Sequence, residues 1–165
     1  MKTNMLRWLV IAIIVVLGIK TEAAEWETDF AKASTNASKT GLYMLLDFSG
    51  SDWCGWCVKL DKEVFSRSEF KTFAKTNMVC VLIDFPRQKK QSTTVKQQNA
   101  ALASKYGVRG YPTVILLSPE GELVGKTGYR EGGAKKYVAH VQEMIAEYEK
   151  QHAKKETKNK TPSYN

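Results

Sequence analysis

Two cysteines three positions apart, in Trp53-Cys54-Gly55-Trp56-Cys57, carry the sharpest chemical signal in the chain. They fall where the loop after an apolar segment gives way to a helical pattern. The spacing sets Cys54 at the helix N-terminus and Cys57 one turn inside. There the first thiol meets unsatisfied backbone N–H groups and the positive end of the helix dipole. Such surroundings lower a thiol pKa from about 8.5 into the range of roughly 3.5–7.5, so thiolate is abundant at neutral pH. Cys57 is near enough to attack a mixed disulfide formed on Cys54. That pair of roles is dithiol–disulfide exchange.

Three other uses of such a pair fit less well. A zinc site needs about four ligands, and beyond the pair only Cys80 and the distant His140 and His152 remain. Attachment of a c-type haem needs histidine directly after the second cysteine, and Val58 stands there. A purely structural disulfide with two intervening residues is poor at stapling distant chain. No metal and no cofactor beyond the Cys54–Cys57 disulfide are expected. Cys80, inside an apolar strand, reads as a buried inert thiol. His140 and His152 have no evident partner and read as structural or solvated.

The elements that must position the pair follow from periodicity. Trp26 to Ser38 carries Phe30, Ala33, Ser34 and Ala37 at helical spacing, closed by Gly41. Leu42 to Phe48 is an almost continuous apolar run, the pattern of a strand buried on both faces. Ser49 to Asp52 predicts a turn and a helix start, with the helix running from Cys54 to Val64 or Phe65. A short helix capped by Ser68 brings in Phe70 and Phe73. Met78 to Asp84 is a second apolar strand, Pro86 to Thr94 a basic loop, and Val95 to Tyr106 a helix with Ala101 and Leu102 on its face. Thr113 to Leu117 is a third strand, joined through Ser118-Pro119-Glu120-Gly121 to a hairpin partner at Glu122 to Lys126. Ala134 to Glu149 forms the last helix, with Tyr137, Val141, Met144, Ile145 and Tyr148 along one side. Helices alternating with buried strands predict an α/β domain around one central sheet.

Composition fits that picture. The chain has 165 residues, 43% hydrophobic and 25% charged, which excludes a disordered protein, a fibre or a low-complexity array. The apolar run Trp8 to Ile19 is shorter than the roughly 20 residues of a membrane span. With Lys2 and Arg7 before it and Thr21-Glu22-Ala23 after it, the run reads as a secretory signal over residues 1–23. An uncleaved membrane anchor is the alternative. Both place the rest of the chain in an oxidising compartment, periplasmic or secreted. The formal charge is +8, with +2 in residues 1–23 and +4 in the tail 150–165. The remainder is close to neutral apart from the acid-free stretch Arg87, Lys89, Lys90 and Lys96. Aromatic residues do not interleave with the lysines, so no nucleic-acid partner is expected. The domain should span 24–150, and the lysine-rich tail 151–165 is expected to be disordered.

The sequence resembles the thioredoxin-fold family over nearly all of residues 26–149. The resemblance rests on Leu46-Asp47-Phe48, on WCGWC, on Lys105-Tyr106-Gly107-Val108-Arg109-Gly110-Tyr111-Pro112-Thr113, and on Lys126-Thr127-Gly128. It implies a central mixed β-sheet flanked by helices, and Pro112 in a cis peptide bond against the cysteine pair. FSGSDWCGWC looks like the exported bacterial members of the family. Four departures stand out. Trp56 lies where thioredoxin has proline, Cys80 where it has lysine, Asp47 is one residue further from Cys54, and the basic loop after Pro86 is longer. A first short β-strand is not evident.

The resemblance implies a catalytic set of Cys54 as nucleophile, Cys57 as resolving thiol and Asp47 as buried proton acceptor. The extra residue before Cys54 offers a second reading of Asp47, as a solvated strand end. Trp53, Gly55, Trp56, Tyr111 and Pro112 would shape the substrate groove. Trp53 is the one expected to pack beneath the loop, and Trp56 the one expected to make contact. Expected is an exported monomeric thiol–disulfide oxidoreductase acting on protein thiols or disulfides, recharged by a separate electron donor or acceptor. A redox-poor chaperone or adaptor of the same fold is the rival. Expression in a secreting host should give a soluble product beginning near Ala24 by intact mass, and retention of Met1 would contradict the cleaved signal.

Overall fold

The computed structural model describes residues 26–160, with side chains through Lys154. The expected signal and its cleavage point near Ala24 lie outside the described residues, as does the end of the tail, 161–165. One mixed sheet holds β1 (Tyr43–Ser49), β2 (Met78–Asp84), β3 (Thr113–Leu117) and β4 (Leu123–Thr127) in the order β2-β1-β3-β4. β1 runs parallel to β2 and antiparallel to β3, which pairs antiparallel with β4. Around it pack α1 (Phe30–Thr40), α2 (Gly55–Leu60), α3 (Ser68–Asn77), α4 (Thr93–Lys105) and α5 (Gly133–Lys160). The expected α/β architecture is present.

The near-continuous apolar strands are explained by a core on each side of the sheet. Leu45, Cys80, Val114 and Leu116 meet Leu60, Val64, Phe65, Phe70, Tyr137 and Val141 on one face. Met44, Leu46, Phe48, Val81, Ile83, Ile115 and Leu117 meet Ala33, Ala37 and Leu102 on the other. β1, central and covered on both faces, is the most deeply placed element. Its end at Ser49 therefore presents whatever follows at a fixed point.

Several boundaries differ from the sequence expectation for local reasons. α1 begins at Phe30, because Asp29 caps it by accepting from Lys32 N–H at 3.0 Å. The residues before it are extended, and Glu27 forms a single parallel bridge with Val81. That bridge is the vestige of the strand the sequence did not reveal. α4 begins at Thr93 with Ser92 as its cap, and its buried positions are Asn99 and Leu102 while Ala101 is exposed. The helix of the cysteine motif reaches Phe65 as expected, but its last turn, Asp61–Phe65, is π-helical.

At the other end the last helix, expected to stop at Glu149, continues to Lys160. His152 Nε2 contacts Glu122 Oε2 at 2.9 Å, and its Nδ1 lies 3.1 Å from Tyr148 O. His140 Nε2 sits 3.1 Å from Thr127 Oγ1. Neither histidine is partnerless. Glu122 and Thr127 flank and end β4, brought to α5 only by folding.

α1 stops at Gly41, whose φ of 69° is left-handed and whose N–H closes on Ala37 O. A Cβ there would meet nothing within 4 Å, so only the backbone conformation requires glycine. Gly41→Ala should cost about 1 kcal/mol in denaturant unfolding. A neutral result would mean the cap relaxes to negative φ.

Candidate active site

Between β1 and α2 the chain turns at Gly50, whose carbonyl accepts from Trp53 N at 3.1 Å and Cys54 N at 2.8 Å. A Cβ on Gly50 would lie 2.5 Å from the Trp53 indole, so a larger residue would displace that ring. Cys54 is the N-cap of α2, at the helix N-terminus where the spacing of the motif set it. Its Sγ accepts from Cys57 N–H at 3.2 Å. Sulfur thus already occupies the place where a helix terminus stabilises negative charge. Cys54 and Cys57 are joined as a disulfide with Cα atoms 5.2 Å apart. Cys54 is 8% exposed and Cys57 4%. Gly55 has open space where a Cβ would stand.

Behind the disulfide lies a cavity of about 410 Å³ lined by Trp26, Asp47, Ser51, Cys57, Asp61 and Lys89 among others. Of the two cysteines it is Cys57 that lines it. Asp47 is 6% exposed, and its Oδ1 is buried without a hydrogen-bond partner. Burial pushes the carboxyl up to about 7, with Asp61 and Asp84 adding to the effect. The extra residue between Asp47 and Cys54 is absorbed in the turn, and the carboxylate does not swing into solvent. Cys80 is 2% exposed, its thiol pushed up to about 12 by burial. It stays protonated at neutral pH. The cation that reaches this cavity is Lys89, whose Nζ donates to Ser51 Oγ at 3.0 Å. Ser51 in turn donates to Asp84 through N at 2.9 Å and Oγ at 2.7 Å.

The Tyr111–Pro112 peptide bond is cis. Tyr111 packs on Trp53 at 5.8 Å and on Phe85 at 5.2 Å between ring centroids, which draws the proline loop beside the motif. Trp53 is 38% exposed and fixed, because its Nε1 donates to Phe85 O at 2.8 Å. Trp56, at 57%, is the more open of the two. It leans on Tyr129 at 5.2 Å, with Lys59 Nζ 5.0 Å from its centroid. Among the described residues, no group of three or more His, Cys, Asp or Glu is placed to hold a metal.

Residues 30–145 match the thioredoxin-like domain family. The chain belongs to that family. Its dithiol sits in a thioredoxin fold, and it is a thiol–disulfide oxidoreductase. It is 33% identical over 121 residues to the disulfide bond reductase DsbH of Chlamydia pneumoniae, covering 73% of this chain and 72% of that protein. It is 34% identical to the thioredoxin-related protein DsbJ of the same organism, over 66% of this chain and only 31% of DsbJ. A solved DsbH oxidoreductase superposes with a TM-score of 0.71 at 33% identity, over 74% of this chain and 84% of that one. A thioredoxin from Thermus thermophilus shares the fold at a TM-score of 0.56, over 73% of this chain and 86% of that one, at 17% identity.

In this oxidoreductase the sequence reading missed Trp26, Ser51, Asp61, Asp84, Phe85 and Tyr129. They reach the site from several segments of the chain, and apart from Ser51 they lie outside the motifs. Asp52 was legible only as a turn residue. Its carboxylate instead accepts the backbone N–H groups of Arg87, Gln88 and Lys89, which holds it below the usual carboxylate range.

The raised Asp47 has a measurable consequence. Unfolded, this carboxyl ionises near pH 3.9, whereas folded it keeps its proton to about 7. Between those values the folded state binds the extra proton, so stability falls as pH rises from about 4 to about 7 and then levels. Asp47→Asn should abolish that slope and exceed the wild type at pH 8 by on the order of 3 kcal/mol in denaturant titrations. An unchanged slope would put the carboxylate in water.

Proposed function

We propose that the protein is an exported reductase of protein disulfides. Cys54 is the nucleophile, Cys57 the resolving thiol and Asp47 the base. The observation that carries this reading is the cavity shared by Asp47 and Cys57, with Cys54 Sγ at the cap of α2. A buried carboxyl with an unpaired oxygen is costly to stability, and groups perturbed in this way cluster at functional sites. The likeness to a disulfide bond reductase supports the reducing direction, and the N-terminal apolar run supports export.

In the reduced enzyme the Cys54 thiolate attacks one sulfur of a substrate cystine, and the other substrate sulfur leaves as thiolate. Asp47 takes the Cys57 proton. The Cys57 thiolate then attacks Cys54 Sγ and expels the second substrate sulfur, which is protonated. Two electrons pass to the substrate, and the Cys54–Cys57 disulfide remains. A dithiol donor must then reduce it. The disulfide is the whole redox group, so no separate cofactor takes part. Trp53, Gly55, Trp56, Tyr111 and Pro112 frame the groove for an extended substrate segment, and the enzyme acts as a monomer.

With dithiothreitol as electron source, the protein should reduce a peptide disulfide catalytically. A protein that binds the peptide without turnover would be a chaperone or adaptor instead. Cys57→Ser should accumulate mixed disulfides on non-reducing gels, and Cys54→Ser should trap none. Asp47→Asn should slow the second stopped-flow phase by about 10²-fold and spare the first, since only Cys57 needs the base. Equal trapping by both cysteine variants would overturn the assignment.

A further inference from the structure

We propose that the loop from Phe85 to Gln91 selects cystines flanked by acidic residues, a reading that rests on the disulfide-exchange function above. The loop is basic yet tightly fixed. Asp52, two residues before Cys54, accepts from three consecutive backbone N–H groups, Arg87 at 2.9 Å, Gln88 at 2.8 Å and Lys89 at 3.1 Å. Phe85 N donates to Ser49 O at 2.8 Å, and Gln91 Nε2 to Asp84 O at 3.1 Å. A loop that served only solubility would not need to offset the entropy lost in such ordering.

That fixation sets cations at a defined place beside the reactive sulfur. The Arg87 guanidinium lies 4.0 Å from the centroid of Trp53, the residue before Cys54. Stacked there, its N–H edge remains open to a carboxylate in the two-point geometry that arginine favours. Lys90, three positions on in the same loop, is exposed. Among the described residues no carboxylate pairs with Arg87 or Lys90. The nearby acids are already engaged. Asp52 is turned into backbone, and Asp84 is buried on Ser51. Asp61, in the π-helical turn after α2, takes Ser66 Oγ at 3.1 Å.

The opposite side of the groove is balanced. Lys59, over Trp56 and Tyr129, feels Glu63 and Glu131. The field across the site is therefore one-sided, positive where the chain passes Trp53 and Tyr111. An extended segment with Asp or Glu on that side of its cystine is drawn in and oriented. Such a field acts chiefly on the association rate and weakens with salt.

The test uses three peptides of equal length, each with one disulfide, flanked by acidic, neutral or basic residues. Values of kcat/KM are measured with dithiothreitol, an uncharged reductant, at low salt and at about 0.5 M. The acidic peptide should lead the basic one by about tenfold at low salt, and the gap should close at high salt. Arg87→Glu with Lys90→Glu should erase or invert the preference, judged against the same variant's rate on the neutral peptide. Lys90→Glu alone, at an exposed position, should shift it partway. Equal rates for acidic and basic peptides at low salt would overturn the proposal, and so would a preference that survives the double charge reversal. Failure to reduce any of the three would overturn the exchange function beneath it.

Discussion

The structure is arranged around one expensive group, the carboxyl of Asp47 in the central strand. β1 is hydrogen-bonded on both edges and covered on both faces, so nothing on it can reach water by moving aside. A carboxylate there loses hydration and gains no hydrogen bond on Oδ1 in return. Holding the proton is its cheapest state. The cost is felt by its neighbours as well. Tyr137 and Cys80, packed on the same face, are pushed up mainly by burial and further by Asp47. The cavity lined by both Asp47 and Cys57 joins this carboxyl to the disulfide.

The helix of the motif is shaped to meet that cavity. α2 itself spans six residues before the π-helical turn Asp61–Phe65. That turn buries Val64 and Phe65 while leaving Asp61 at the cavity edge. Phe65 then stacks on Trp26 at 5.0 Å, Phe70 at 4.8 Å and Tyr137 at 5.8 Å. This aromatic cluster anchors the helix from below, so the position of Cys57 is set by packing and does not depend on the disulfide alone. π-turns of this kind recur beside functional sites because they re-aim side chains without ending the helix.

What was legible in the sequence follows the same physics. The strands could be read because two covered faces demand unbroken apolar runs such as Met78 to Ile83. The motif could be read because two thiols at that spacing serve few chemistries. Pairings that depend on distant segments left no local trace. Glu27 looks helical until Cys80 O and Leu82 N claim its backbone. Asp52 looks like a turn residue until the Arg87 loop folds onto it. His152 looks stranded in a tail until α5 carries it to Glu122. The π-turn has no proline or glycine to announce it. In each case a tertiary contact overrode a local preference.

The departures from thioredoxin described by the sequence are linked by charge. Replacing a strand lysine with Cys80 removes a cation from beside Asp47, yet the cavity still receives one, from Lys89 on the lengthened loop. The two placements differ in consequence. A lysine in the strand would share the buried face and favour ionised Asp47 directly, whereas Lys89 is held outside by Ser51, which itself bonds Asp84. Asp61 and Asp84 lie near enough to Asp47 to add to the rise that burial causes in its pKa. Asp84 has two donors from Ser51, and Asp61 has solvent. Asp47 Oδ1 has neither, and its carboxyl ionises only near pH 7, within reach of neutral pH for the base role proposed for it. The same loop that brings Lys89 to the cavity carries Arg87 to Trp53. The loop thus meets the site at two points, Lys89 at the cavity behind the disulfide and Arg87 at Trp53 in front of it, with Asp52 tying its backbone between them.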